Sequence, residues 1–151
     1  MKITVLGIGN ILLRDEGVGV RVVELLKDSD LPEEVELVDG GTATLNLFPI
    51  LAETEHLIVI DAVKGGMPQG TLYRLKPKDL KPTEGSAVSL HDLGLLQALD
   101  MAKAIGKMPK SVMIFGVEPK KIDWGMELSP EIEQELPHLA TVIIEEIESL
   151  S

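Results

Sequence analysis

The chain has 151 residues, no cysteine, and 25 acidic against 14 basic side chains, giving a formal net charge of −11. This excludes a disulfide scaffold, a thiolate nucleophile and any cysteine-ligated metal centre, and it makes a poor generic partner for nucleic acid or an anionic membrane. A chain 44% hydrophobic and 26% charged is expected to be globular, a single domain over residues 1–151. The opening segment Met1–Leu6 lacks the features of a signal peptide. No apolar run approaches the ~20 residues that span a bilayer, so a soluble, cytoplasmic protein is expected.

Taken in chain order, Ile3–Leu6 reads as a buried strand ending at Gly7, and Gly17–Lys27 as a helix with Val18, Val22, Leu25 and Leu26 on one face. Val35–Val38 is a second strand closed by Asp39-Gly40-Gly41-Thr42. A helix over Asn46–Thr54 tolerates Pro49 only in its first turn. Leu57–Ile60 is the most strand-like run, and the Gly65–Gly70 turn leads to alternation over Thr71–Leu75, which predicts a hairpin-like, antiparallel strand. Lys76–Ser89 is a polar loop. Leu90–Ile105 reads as a helix carrying Leu93, Leu96 and Leu99 inward, and Val112–Phe115 as the last strand. Ser129-Pro130-Glu131 opens the final helix with a cap and a first-turn proline, and Pro137 should kink or split it. Strands alternating with helices predict a three-layer α/β/α sandwich around a mainly parallel, twisted five-stranded sheet with one antiparallel strand.

In such sheets, sites form beyond the carboxyl ends of the strands. Those ends offer Asp15 and Glu16, Asp39, Asp61, the run Ser89-Leu90-His91-Asp92, and Glu118. Glu16, Asp61 and His91 are a ligand set that zinc, nickel or iron accepts. With Ser89 as cap, His91 falls in the first turn of its helix, where the dipole keeps the imidazole neutral and able to ligate. Asp92 then completes a short capping box and is structural. Taken singly, each ligand has an ordinary reading: a first-turn acid, a turn-fixing aspartate, a hydrogen-bonded histidine. Three such residues on one sheet edge favour the joint reading. His56 and His138 are assigned to the surface. Gly7-Ile8-Gly9 begins a dinucleotide fingerprint. However, Leu12 stands where the third glycine belongs, and Asp15 and Glu16 would repel a pyrophosphate. The glycines of Asp39-Gly40-Gly41-Thr42 allow close approach of either a peptide or a neighbouring loop. No Gly-x-Ser-x-Gly elbow or His-Glu-x-x-His helix is present.

From Leu6 to about Ser129, the ordered motifs Gly7-Ile8-Gly9-Asn10, Asp15-Glu16-Gly17-Val18-Gly19, Asp39-Gly40-Gly41-Thr42, Asp61-Ala62, Ser89-Leu90-His91-Asp92 and Gly116-Val117-Glu118-Pro119 resemble the hydrogenase maturation endopeptidases. The resemblance implies an enzyme that removes the carboxy-terminal extension of a nickel–iron hydrogenase large-subunit precursor after nickel insertion. It implies that Glu16, Asp61 and His91 contact the nickel, that Asp39 is an orienting or general-base group, and that Gly40, Gly41 and Thr42 give the peptide backbone access. It also implies that nickel arrives with the precursor, so no permanent cofactor is expected. The expected partner is that precursor, with no nucleic acid and no membrane, and the acidic chain itself is expected to be a monomer. The competing reading is a non-catalytic nickel-binding chaperone or docking module that uses the same ligands.

Overall fold

The computed structural model describes residues 1–42, 47–80, 89–90 and 93–150. Its strands are β1 (Ile3–Ile8), β2 (Val35–Gly41), β3 (His56–Lys64), β4 (Leu72–Leu75), the two-residue β5 (Ser89–Leu90) and β6 (Ser111–Val117). Its α-helices are α1 (Val18–Leu26), α2 (Phe48–Glu53), α3 (Leu93–Ala104) and α4 (Pro130–Ser149). The main sheet runs β2-β1-β3-β6-β4, with β5 paired to the end of β3. The contacts between β1 and β2, β1 and β3, and β3 and β6 are parallel, whereas β4 lies antiparallel on β6. The expected architecture is therefore present.

Strict alternation along the central strands builds two cores. Ile58, Ile60 and Ala62 of β3 join Val18, Val22, Val23 and Leu26 of α1 and Leu139, Ile143 and Ile147 of α4 on one face. Leu57, Val59 and Val63 join Leu51 of α2 and Leu95, Ala98 and Leu99 of α3 on the other. Only a strand covered on both faces places consecutive residues in two cores. β1 leads through α1 to β2 on one side, and the chain then crosses back over β1 through α2 to β3. The order reverses between β1 and β3, which makes that pair the switch point where sites form in open sheets.

Several expectations shift. α1 begins at Val18, behind a 3₁₀ turn over Arg14–Gly17. Pro49 falls in the first turn of α2, where its missing amide is harmless. β4 is antiparallel but is no hairpin partner of β3, because β6 lies between them. Ser89 is strand rather than cap, since it pairs with Lys64 and α3 starts only at Leu93. This removes the capping box and the helix-dipole argument for His91. Along α3 the buried residues are Leu95, Ala98, Leu99 and Ala102, with Leu96 half-buried; the expected inward Leu93 lies outside the described side chains. Finally, α4 runs unbroken through Pro137. An interior proline costs about 3 kcal/mol, but burying Ile132, Leu139, Ile143 and Ile147 stabilises the helix by about 2 kcal/mol each, so packing wins.

Candidate functional site

The β1–α1 connection is seated by backbone-on-backbone packing. A Cβ at Gly19 would overlap the carbonyl oxygen of Ile60 in β3, and one at Gly9, where φ is +135°, would overlap that of Glu16. These glycines let the 3₁₀ turn press against the switch point. Arg14, at φ 49°, is the only non-glycine residue with positive φ among those described, and such strain persists only where surrounding contacts enforce it. The turn packs on β3. It leaves Glu16 5% exposed, while Asp61 is 0% exposed. Asp61 lies inside β3, which continues to Lys64, rather than just after the strand. Its Oδ1 accepts from the Ala62 amide at 2.8 Å.

Asp15, beside Glu16, has a different fate. Its buried carboxylate accepts from the amides of Lys120 at 2.9 Å, Lys121 at 2.8 Å and Ser129 at 2.7 Å, and from the Ser129 hydroxyl at 2.8 Å. The Ser129 side chain, predicted to cap α4, is spent on Asp15 and makes no cap bond to its own helix. Further backbone bonds join the two segments: Arg14 N to Gly125 O at 2.9 Å, Asp15 N to Lys121 O at 3.1 Å, and Gly125 N to Leu12 O at 2.9 Å. No periodicity signals a clamp between residues more than a hundred positions apart.

Glu118 clamps a second loop. Its Oε1 accepts from the Tyr73 hydroxyl at 2.6 Å, the Gly65 amide at 2.8 Å and the Met67 amide at 3.3 Å. Burial alone would push the carboxyl up. The hydrogen bonds from Tyr73 and from the amides of residues 65–67 outweigh it and hold the group below the usual carboxylate range. Burial, and then the bond to Glu118, push the Tyr73 phenol up.

Beyond the ends of β1 and β2 opens a cleft of about 210 Å³ lined by Gly9, Asn10, Ile11, Val20, Asp39, Gly41 and Thr42. Asp39 is exposed there, and its Oδ1 accepts from the Gly41 amide at 2.9 Å. Gly40 does not line the cleft. It is buried, and a Cβ there would press on Leu6 and Leu47, so its missing side chain is accounted for by packing. His91 and Asp92 lie outside the described residues. Leu90, just before them, pairs with Val63, two residues beyond Asp61 on β3. Among the described residues no group of three or more His, Asp or Glu side chains is placed to hold a metal ion, and Glu16 and Asp61 are the two predicted ligands within that set. His138 is exposed, while His56 is half-buried with its Nδ1 2.6 Å from the Ser111 hydroxyl. No described helix is long and apolar enough to cross a membrane.

The HycI hydrogenase maturation protease family matches residues 20–146. The hydrogenase 2 maturation protease of Escherichia coli is 40% identical over 136 residues, covering 88% of this chain and 82% of that protein. The hydrogenase expression/formation protein HupD of Rhodobacter capsulatus is 40% identical over 134 residues, 87% of this chain but 64% of that longer protein. Among solved structures, the hydrogenase maturating endopeptidase HybD of Escherichia coli superposes with a TM-score of 0.88 at 33% identity, over 100% of this chain and 94% of that one. The HycI protease of Thermococcus kodakarensis gives 0.78 at 25% identity, over 97% and 92% of the two chains.

Proposed function

The chain belongs to the hydrogenase maturation proteases, and from that premise we propose that it removes the carboxy-terminal extension of a nickel–iron hydrogenase large-subunit precursor, recognising the nickel of that substrate through Glu16, Asp61 and His91. The observation that carries this reading is the delivery of two buried carboxylates, Glu16 and Asp61, to the switch point by elements packed on each other. His91 follows a strand residue paired two positions beyond Asp61.

Two carboxylates and an imidazole suit a divalent cation, and they leave coordination positions open for groups of the substrate. This protein has no thiolates, so the precursor keeps its own ligands to the metal and the protease adds oxygen and nitrogen donors. In a desolvated setting the attraction between a divalent ion and carboxylates is far stronger than in water. The nickel thus anchors the segment to be cut and favours precursor that is already loaded. Asp39, at the neighbouring cleft, takes the role of orienting or general-base group. It receives a proton as water attacks the scissile carbonyl, and the proton passes to the departing amide nitrogen. Gly41 and Thr42 line the path of the peptide.

Incubation with cognate nickel-loaded precursor should shorten it by the mass of its tail, while nickel-free precursor should stay intact. No shortening of loaded precursor would overturn the function. Cleavage that survives both Glu16→Ala and His91→Ala would overturn the nickel site while leaving the protease.

A further inference from the structure

On the reading that this chain cuts a protein precursor, we infer that Leu12, Trp124 and Met126 form the surface on which the folded body of that precursor docks. The chain has one tryptophan, and it stands 77% exposed, with Met126 58% and Leu12 46% exposed beside it. Leu13 and Gly125 form a parallel bridge, and that register sets Leu12 opposite Trp124 and Arg14 opposite Met126, so the three apolar residues share one short two-stranded tape. An isolated exposed leucine is ordinary, but a tryptophan, a methionine and a leucine gathered together are the composition of an interface centre.

The tape is rigid. Besides the Asp15 clamp and the backbone bonds already described, Arg14 Nε pairs with Asp123 at 3.1 Å and an Arg21 guanidinium nitrogen donates to the Met126 carbonyl at 2.9 Å. These bonds hold large apolar side chains out in water. A partner that meets them loses little conformational entropy in the loop, which is how preorganised anchors gain affinity.

Continuity with the site identifies the occupant. Leu12 and Glu16 belong to one five-residue segment, so whatever covers Leu12 and Trp124 lies alongside the turn that carries Glu16. A nickel ion and a short tail give few contacts for choosing one protein among many. Apolar contact with the folded large subunit supplies that selection next to the cut.

Protease carrying 5-fluorotryptophan yields a single fluorine resonance, which reports Trp124 alone. Addition of unlabelled, nickel-loaded cognate precursor should shift or broaden it. Trp124→Ser should raise KM for that precursor on the order of tenfold or more while leaving kcat near the parent value, and Leu12→Ser and Met126→Ser should do so more weakly. Because all three side chains are exposed, the variants should melt like the parent. An unmoved resonance with unchanged KM, while the parent still cuts, would overturn the docking surface and spare the function. Failure of the parent to bind or cut loaded precursor would overturn both. A resonance that follows the concentration of the protease, and ignores the precursor, would assign the patch to self-association and overturn the inference.

Discussion

The carboxyl rim of the sheet is built in two ways. On the side of β3 and β6, two described loops are tied down: Asp15 fastens the segment from Lys120 to Ser129, and Glu118 fastens the loop at residues 65–67 together with Tyr73. On the side of β2, Asp39, Gly41 and Thr42 surround an open cleft, and among the described residues the Asp39 side chain accepts from the Gly41 amide alone. Both sides are rich in acids, so charge does not distinguish them. What separates them is how much of each carboxylate is consumed by the fold. Asp15 and Glu118 are scaffolding, whereas Asp39 meets solvent and can meet substrate.

The sharpest test of this contrast is Asp15→Ala. It strands two buried donors of Ser129, each costing about 1–3 kcal/mol when left unpaired, and breaks the half-buried bonds from the Lys120 and Lys121 amides. The total loss should reach about 4 kcal/mol, read as a large fall in urea midpoint, and Asp15→Asn should be nearly as damaging because its amide adds donors among donors. Next comes Gly19→Ala. The added methyl meets backbone on β1 and β3, which cannot swing aside, and thermal melting should show a loss of about 2–3 kcal/mol.

The Glu118 clamp gives a smaller effect with a pH signature. Its folded value lies below the ordinary 4.5. Its contribution is therefore complete above that value and is lost as pH falls through the folded value. Tyr73→Phe should cost about 1 kcal/mol at neutral pH and flatten the acid limb of the stability curve, because the carboxyl returns toward its ordinary value. Least of all in stability should be Asp39→Ala, whose melting should match the parent even as cleavage of loaded precursor slows on the order of a hundredfold. A marked drop in melting temperature there would erase the contrast, and unchanged cleavage would remove Asp39 from the chemistry.

Much of this was legible in the sequence, for reasons that differ by element. The cores of β1, β3 and β6 announce themselves as short apolar runs, and Pro130 marks the start of α4. Strand ends were less legible, because β3 keeps pairing through Asp61 to Lys64, and pairing is a property of neighbours. The position of β4 depends on β6 sliding between it and β3, an arrangement that no local turn encodes. Ser89 looks like a cap until its pairing with Lys64 is known. For the candidate site, the sequence placed Glu16 and Asp61 near strand ends on one rim, and the structure buries both. The opposite role of Asp15 was not legible, since its partners lie 105 to 114 residues away.

The insertion of β6 also bears on the order in which the molecule can be made. β4 is synthesised long before β6, yet among the described residues β6 is its one partner in the sheet. Both clamps wait for the same late stretch, because Glu118 follows β6 directly and the donors to Asp15 come from Lys120 to Ser129. A ribosome-bound chain that has released β1 to α3 therefore holds Glu16 and Asp61 without the braces around them. The fold should therefore close late in synthesis, and a chain that ends before β6 would leave β4 and both carboxylate clamps without their partners.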